Sequence, residues 1–399
     1  MSKWMWILVL AGAALLFGGT AREALAADPV IEMLQEKGLI TEDEAQKLYD
    51  EKAKAEPVLL KNAGSQLKLD GRIFIGYFDS QKPGSTYEHG SFEIPDGKIR
   101  FTWTPKQNVE VVTRLSIKFK DAKADVEGLD YFYGQINGVI PVDRNSRLRL
   151  GKIKVDFGEE IWTDNPVENT AGLISNSAGL AGGYDEGLEL YGHFVPGKFG
   201  YSLSVANGED GDGASKSTGF GYAAKLFFQP CTPFYASASY YTAEGIKKGS
   251  KSALKVAGLQ SEPAGTTVEW DRNIWQVDVR YQVPGLPVRV AAAYGQFSDQ
   301  PDSGSELEGE YYSLEGKWDI TPKFFAGARY SIIKLDNNAA ATLNDISSCN
   351  EYTRTSLGVG YNLNKLVTLK AEYSWNENDR PGYTAIDDNQ FALGLAAKF

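Results

Sequence analysis

Asn389-Gln390-Phe391-Ala392-Leu393-Gly394-Leu395-Ala396-Ala397-Lys398-Phe399 ends the chain on a strict alternation. Phe391, Leu393, Leu395, Ala397 and Phe399 share one parity, and Gln390, Ala392, Gly394, Ala396 and Lys398 the other. Successive side chains of an extended strand point to opposite faces, so the first set makes an apolar face and the second a mostly small or polar one. An apolar face that runs to the terminal residue is unusual in a soluble domain, whose ends fray into water. It suits a strand with lipid on one side and a wet lumen on the other.

The pattern recurs upstream. Sixteen alternating segments begin near Leu67, Asp96, Asn108, Leu129, Ser146, Glu186, Phe199, Gly219, Phe234, Asp271, Val288, Glu308, Lys323, Tyr352, Lys365 and Asn389. Short connections, rich in Pro, Gly and Asn, fall at Thr104–Gln107, Pro141–Asn145, Pro196–Lys198, Gln229–Pro233, Val283–Pro287, Ile320–Pro322 and Asn362–Asn364. Longer connections separate the other pairs. This rhythm predicts an all-β fold over residues 67–399, a transmembrane antiparallel up-and-down β-barrel with short turns on one side and long loops on the other. Sixteen strands also leave an aqueous channel rather than a filled core. Two aromatic girdles are expected at the interfaces. Trp103, Phe194, Phe227, Tyr281, Trp318, Phe324, Tyr361 and Phe399 lie towards the short turns, and Tyr77, Phe119, Trp270, Phe297, Tyr311 and Trp375 towards the long loops.

The first residues read differently. Lys3, an apolar run over residues 4–19 and Ala24-Leu25-Ala26 predict a cleaved export signal over residues 1–26. Residues 27–66 are expected to form a periplasmic helical leader: Val30, Ile31, Leu34 and Leu39 recur at helical spacing, and Thr41 with Glu44 makes a capping box. No later segment approaches twenty apolar residues, so no helical span is expected. The formal charge of −11 argues against a nucleic-acid partner. Cys231 falls in a short turn and Cys349 in a long loop, too far apart to bond across the membrane.

Chemistry concentrates in two places. Strands one to five point Lys68, Arg72, Lys98, Arg100, Arg114, Lys118, Lys120, Arg147, Arg149, Lys152 and Lys154 to the lumen, with only Asp70 and Glu110 sharing that face. The long third loop, residues 155–185, carries Asp156, Glu159, Glu160, Asp164, Glu168 and Asp185 without a base. A basic wall opposite an acidic loop sets up a transverse field in a narrow wet channel. Parity slips between Leu150 and Ile153, which predicts a β-bulge at Gly151. Catalytic patterns are thin. His89 and His193 are the only histidines, no G-x-S-x-G or H-E-x-x-H occurs, and no metal or cofactor is expected. Asn207 to Gly213 is a crude match to a calcium loop and reads instead as an acidic surface loop.

Gly151-Lys152-Ile153-Lys154-Val155-Asp156-Phe157-Gly158-Glu159-Glu160 resembles the opening of the third loop in the phosphate-selective porin O/P family, matching at Gly151, Lys154, Phe157, Gly158 and Glu160, with Asp156 where that family usually has Pro. Tyr201 to Gly208 is similar to that family's strand ending in Asn-Gly, and Phe399 resembles the end signal of bacterial outer-membrane proteins. The resemblance implies an outer-membrane porin, a homotrimer in lipid, with an inward-folded third loop, passing small hydrophilic solutes passively. The charge pattern leads us to expect mild anion preference. One alternative is a barrel sheath around a multihaem electron-transfer partner, which needs an unobstructed lumen. A gated receptor would need about twenty-two strands and a plug larger than residues 27–66.

Overall fold

The computed structural model describes residues 58–399, apart from 63–64, 82–86, 107, 121–122, 211–217, 257–258, 260–261, 337–341, 344–345, 348 and 380–387. Among the described residues, besides six strands of two to five residues, sixteen long strands follow one another in the chain. They are β1 Ser65–Ser80, β2 Ser91–Lys106, β3 Val109–Lys120, β4 Lys123–Asn137, β5 Arg147–Lys154, β6 Ala181–Val195, β7 Phe199–Ala206 and β8 Gly221–Cys231. Then come β9 Phe234–Lys247, β10 Glu269–Gln282, β11 Val288–Pro301, β12 Leu307–Asp319, β13 Phe324–Leu335, β14 Glu351–Asn362, β15 Val367–Asp379 and β16 Gln390–Lys398. Each pairs antiparallel with its chain neighbours, and β16 returns to β1 from Arg72↔Lys398 to Ser80↔Gln390. The sheet is therefore a closed barrel with no open edge, the condition that lipid imposes on a spanning sheet.

Exposure follows the alternation read from the sequence. On β14, Leu357, Val359 and Tyr361 are 51%, 44% and 42% exposed, while Ser356 and Gly360 on the other parity are enclosed. The outward row is the lipid face. Ala392 and Ala396 of β16 turn inward and pack on Phe74 and Phe78 of β1. Seven of the expected short-turn aromatics, Trp103, Phe194, Tyr281, Trp318, Phe324, Tyr361 and Phe399, stand exposed as a girdle should.

Several boundaries differ from the expectation. Val58–Asn62, expected at the end of a helical leader, is a strand paired with β1 from Val58↔Lys68 to Asn62↔Ser65. This short apolar run, without a helix cap, adds to the neighbouring ladder instead. The export signal and the two leader helices lie outside the described residues. Between β3 and β4 only two residues intervene, where a long loop was expected. The ladder there runs on past the apolar stretch, since backbone pairing needs no apolar side chain. β6 begins at Ala181 rather than Glu186. The second girdle fails at three positions: Trp270, Phe297 and Tyr311 are 2–3% exposed and belong to a buried cluster inside the barrel. Phe227 also turns inward, onto Tyr191.

Candidate functional site

The third loop, residues 155–180, carries Val155, Phe157, Ile161, Leu173 and Ala178, each at most 1% exposed. A loop so rich in apolar side chains gains by packing, not by standing in water. It folds into the barrel. Val155, Phe157 and Ala178 join Tyr241, Ile274, Tyr311 and Tyr352 of the far strands in one cluster, and Ile174 joins Phe74 and Ala392 in another.

One side of the lumen is its seat. Lys225 of β8 donates to the Gly158 carbonyl at 2.7 Å, and Gly158 N donates to Ser239 of β9 at 3.0 Å. Farther round, Arg289 donates to the Thr170 carbonyl, Arg329 to Ser175 at 2.8 Å, Arg354 to Asn176 at 3.1 Å, and Lys370 to Pro166 and Leu173. Glu372 accepts from the backbone amides of Ile174 and Ser175, and Ser331 from Ala178. The loop comes so close to β13 that a Cβ on Gly327 would lie 2.0 Å from the Ala171 carbonyl. These bases lie beyond the five strands singled out from the sequence. Their signal was present, since each is a charge of lumen parity in its strand.

The loop carboxylates divide between two walls. Asp156 and Glu159 both sit on Lys225, at 2.9 and 2.8 Å, and Glu160 faces Arg329 at 3.5 Å. Burial pushes the Asp156 carboxyl up, but the Lys225 ammonium, the Trp162 N–H and the Arg147 charge together hold it below the usual range. Asp164 and Glu168 instead meet the opposite wall, Asp164 at Lys154 (3.2 Å) and Glu168 at Arg72 (2.7 Å).

That opposite wall is the expected ladder, and it carries more acid than the sequence reading allowed. Arg72 pairs with Asp96 at 2.7 Å, Lys98 and Arg114 share Asp130, Arg100 pairs with Asp70 at 2.9 Å, and Arg149 with Glu189 at 3.1 Å. Arg114 also donates to the Tyr184 hydroxyl at 2.6 Å. Asp130 reaches the lumen because β4 carries an extra residue there: Arg114 pairs with Tyr131 and Leu115 with Leu129. Asp96 borders a similar shift between β1 and β2. Simple alternation cannot place Asp130, but it does place Asp96, which shares the parity of Lys98 and Arg100. Glu189 lies on β6, one strand past the set considered.

Of the remaining ladder residues, Lys68 is half-buried on β1, and the backbone of Lys118 pairs with Asp125. Lys154 is buried, donating to the Ile161 carbonyl beside Trp162 and Tyr184. Lys152 differs. It pairs with Phe132, whose 51% exposed ring stands outward between lumen-facing Tyr131 and Tyr133. Lys152 therefore shares the outer face. Arg149 and Lys154 both reach the lumen despite opposite parity, so the face does change between them. The register of β5 with β4 and β6 is nonetheless unbroken, so the expected bulge is absent. Leu150 and Lys152 both lie outward on either side of Gly151, which sits at φ 131°, so the face changes only after Lys152. Cys231 is exposed, Cys349 is buried, and both are free.

A closed barrel of this size, with charged inner walls and a loop fixed across its lumen, defines a membrane channel. Residues 146–397 match the family model for Gram-negative porins, so the chain belongs to that family and forms a channel for small solutes in the bacterial outer membrane. No curated protein matches the chain by sequence. Among solved structures it is similar in fold to the outer-membrane channel DcaP of Acinetobacter baumannii, with TM-score 0.59 and 14% identity over 85% of this chain and 99% of that one. An anion-selective porin from Comamonas acidovorans gives 0.58 and 13% over 84% and 100%. OmpT of Vibrio cholerae gives 0.56 and 10% over 85% and 99%.

Proposed function

We propose that the channel passes small hydrophilic solutes down their gradients, with mild anion preference, between the third loop and the wall formed by β1 to β5. The observation that carries this reading is the division of the loop carboxylates. Asp156, Glu159 and Glu160 are neutralised by Lys225 and Arg329 on the side where the loop rests. Only Asp164 and Glu168 face Arg72, Lys98, Arg100, Arg114, Arg147, Arg149 and Lys154. Asp70, Asp96, Asp130 and Glu189 offset most of that positive charge, so the preference is small. Fixed charges beyond the Debye length of about 8 Å add little at physiological salt.

The seated loop also disfavours a sheath around a multihaem partner, because it occupies the space such a partner needs. A homotrimer is the assembly we propose, OmpT of Vibrio cholerae having been solved in a trimer form. Residues 1–26 are the proposed export signal and residues 27–57 the proposed periplasmic leader. Kinship with the phosphate-selective O/P group rests on Gly151, Lys154, Phe157, Gly158 and Glu160.

Single-channel recording in a KCl gradient tests the reading. A stable ohmic conductance with a reversal potential slightly on the chloride side is expected. Clear cation preference at low salt would mean that Asp164 and Glu168 govern the opening.

A further inference from the structure

Between the third loop and the short-turn mouth lies a recess of about 430 Å³, lined among others by Arg147, Trp162, Tyr191, Phe227 and Tyr235. Three of its rings stack. Tyr191 and Phe227 have centroids 5.4 Å apart and planes 15° apart, and Phe227 and Tyr235 are 6.4 Å and 14° apart. The rings come from β6, β8 and β9, so β7 runs beneath the first pair. Gly200 of β7 makes the meeting possible, since a Cβ there would lie 2.3 Å from the Phe227 ring. Guanidinium groups cap the stack, Arg147 over Tyr191 at 4.0 Å and Arg280 over Tyr235 at 4.8 Å. Trp162, 38% exposed on the third loop, also lines the recess.

The charges of the recess are nearly all matched. Lys225 holds Asp156 and Glu159, His193 meets Asp143 at 3.3 Å, and Arg149 takes Glu189 at 3.1 Å. Two bases are left over, Lys198, exposed on the short turn, and Arg147. Glu189 stands 4.0 Å from it, beyond hydrogen-bond reach, and Arg147 Nε is buried with no partner among the described residues. The second Glu189 oxygen also lacks a partner, but Glu189 is fully enclosed, whereas the Arg147 side chain keeps 28% of its surface open. An arginine fork with unused donors fits a carboxylate. The rings beside it fit a flat apolar body.

We propose that this recess binds organic carboxylates with a flat apolar body, aromatic monocarboxylates being the simplest, as they pass through the channel. The carboxylate accepts from Arg147, and the body lies against the Phe227 edge of the stack and against Trp162. This inference rests on the channel reading above and names a solute class for it. Acetate has the charge without the body, benzyl alcohol the body without the charge, and phosphate the oxygens alone.

The test uses the full chain in planar bilayers, with each of these compounds and benzoate titrated against a chloride current. Benzoate should block at a lower concentration than acetate or phosphate, and benzyl alcohol should not block. Arg147→Gln should raise the half-blocking benzoate concentration about tenfold, the worth of one charge-assisted hydrogen bond. Phe227→Ala should weaken the benzoate block and spare the weak acetate effect. The wild-type series decides the matter even if a variant fails to assemble. Equal block by benzoate and acetate, or stronger block by phosphate, would overturn the inference while leaving the channel intact. Absence of any current would overturn both.

Discussion

The two inner walls of this barrel use the same residue types for different ends. On β11 to β15, Arg289, Arg329, Arg354 and Lys370 spend their donors on main-chain carbonyls of the third loop. On β1 to β5, Arg72, Lys98, Arg100, Arg114 and Arg149 pair with carboxylates of the wall itself and stay partly in water. The first set holds the obstruction in place, and the second faces the gap it leaves. A lumen-facing base is therefore defined by its partner, not by its direction.

The largest effect should come from breaking the seat. Arg329→Ala leaves Glu315 and Glu160 without their shared cation in a buried site, which costs about 3–5 kcal/mol. Urea unfolding should show that loss, and surviving channels should conduct more, with added noise as the loop loosens. An unchanged conductance would mean that the loop is held by its apolar clusters alone.

Next is the lipid face. Leu314 is 59% exposed on the outward row of β12. Leu314→Arg should cost about 2–4 kcal/mol if the site lies near the membrane midplane. Folding into lipid vesicles measures it, and an equal cost for Ser313→Arg on the lumen face would refute the assignment of faces.

Smaller still is the effect of the facing wall. Arg147→Gln with Arg149→Gln takes both neighbouring cations from enclosed Glu189 and so should cost some stability, while channels that assemble should move the reversal potential towards cations at low salt, the shift fading as salt rises. The least effect separates the two ends of the barrel. A polar maleimide should label exposed Cys231 in folded protein and reach Cys349 only after unfolding, since burial encloses that thiol and pushes its pKa up.

The barrel was largely legible in the sequence because period-two alternation and the short-long rhythm of connections are local signals. Strand count and closure followed from them. The site was legible only in part. Asp130 faces the lumen through irregular register, which alternation cannot reveal, whereas Asp96 shares the parity of Lys98 and Arg100 and was legible, and Lys152 lies outward with Leu150 because alternation runs unbroken through Gly151. Trp270, Phe297 and Tyr311 looked like girdle residues because aromatics near a strand end read alike whether they meet headgroups or a folded-in loop. The seat on Arg329 and Lys370 depends on contacts well over a hundred residues apart in the chain, and no spacing rule encodes those.

The difference between the walls is tested most directly by reversal potential in a KCl gradient, comparing Arg147→Gln with Arg149→Gln against Arg354→Gln. The first pair removes charge from the facing wall, and Arg354→Gln removes it from the seat, where that guanidinium donates to Asn176 and Asn376. The account predicts a shift towards cations in the first and a potential near wild type in the second. Equal shifts in both would contradict it, placing the ion path along both walls rather than one.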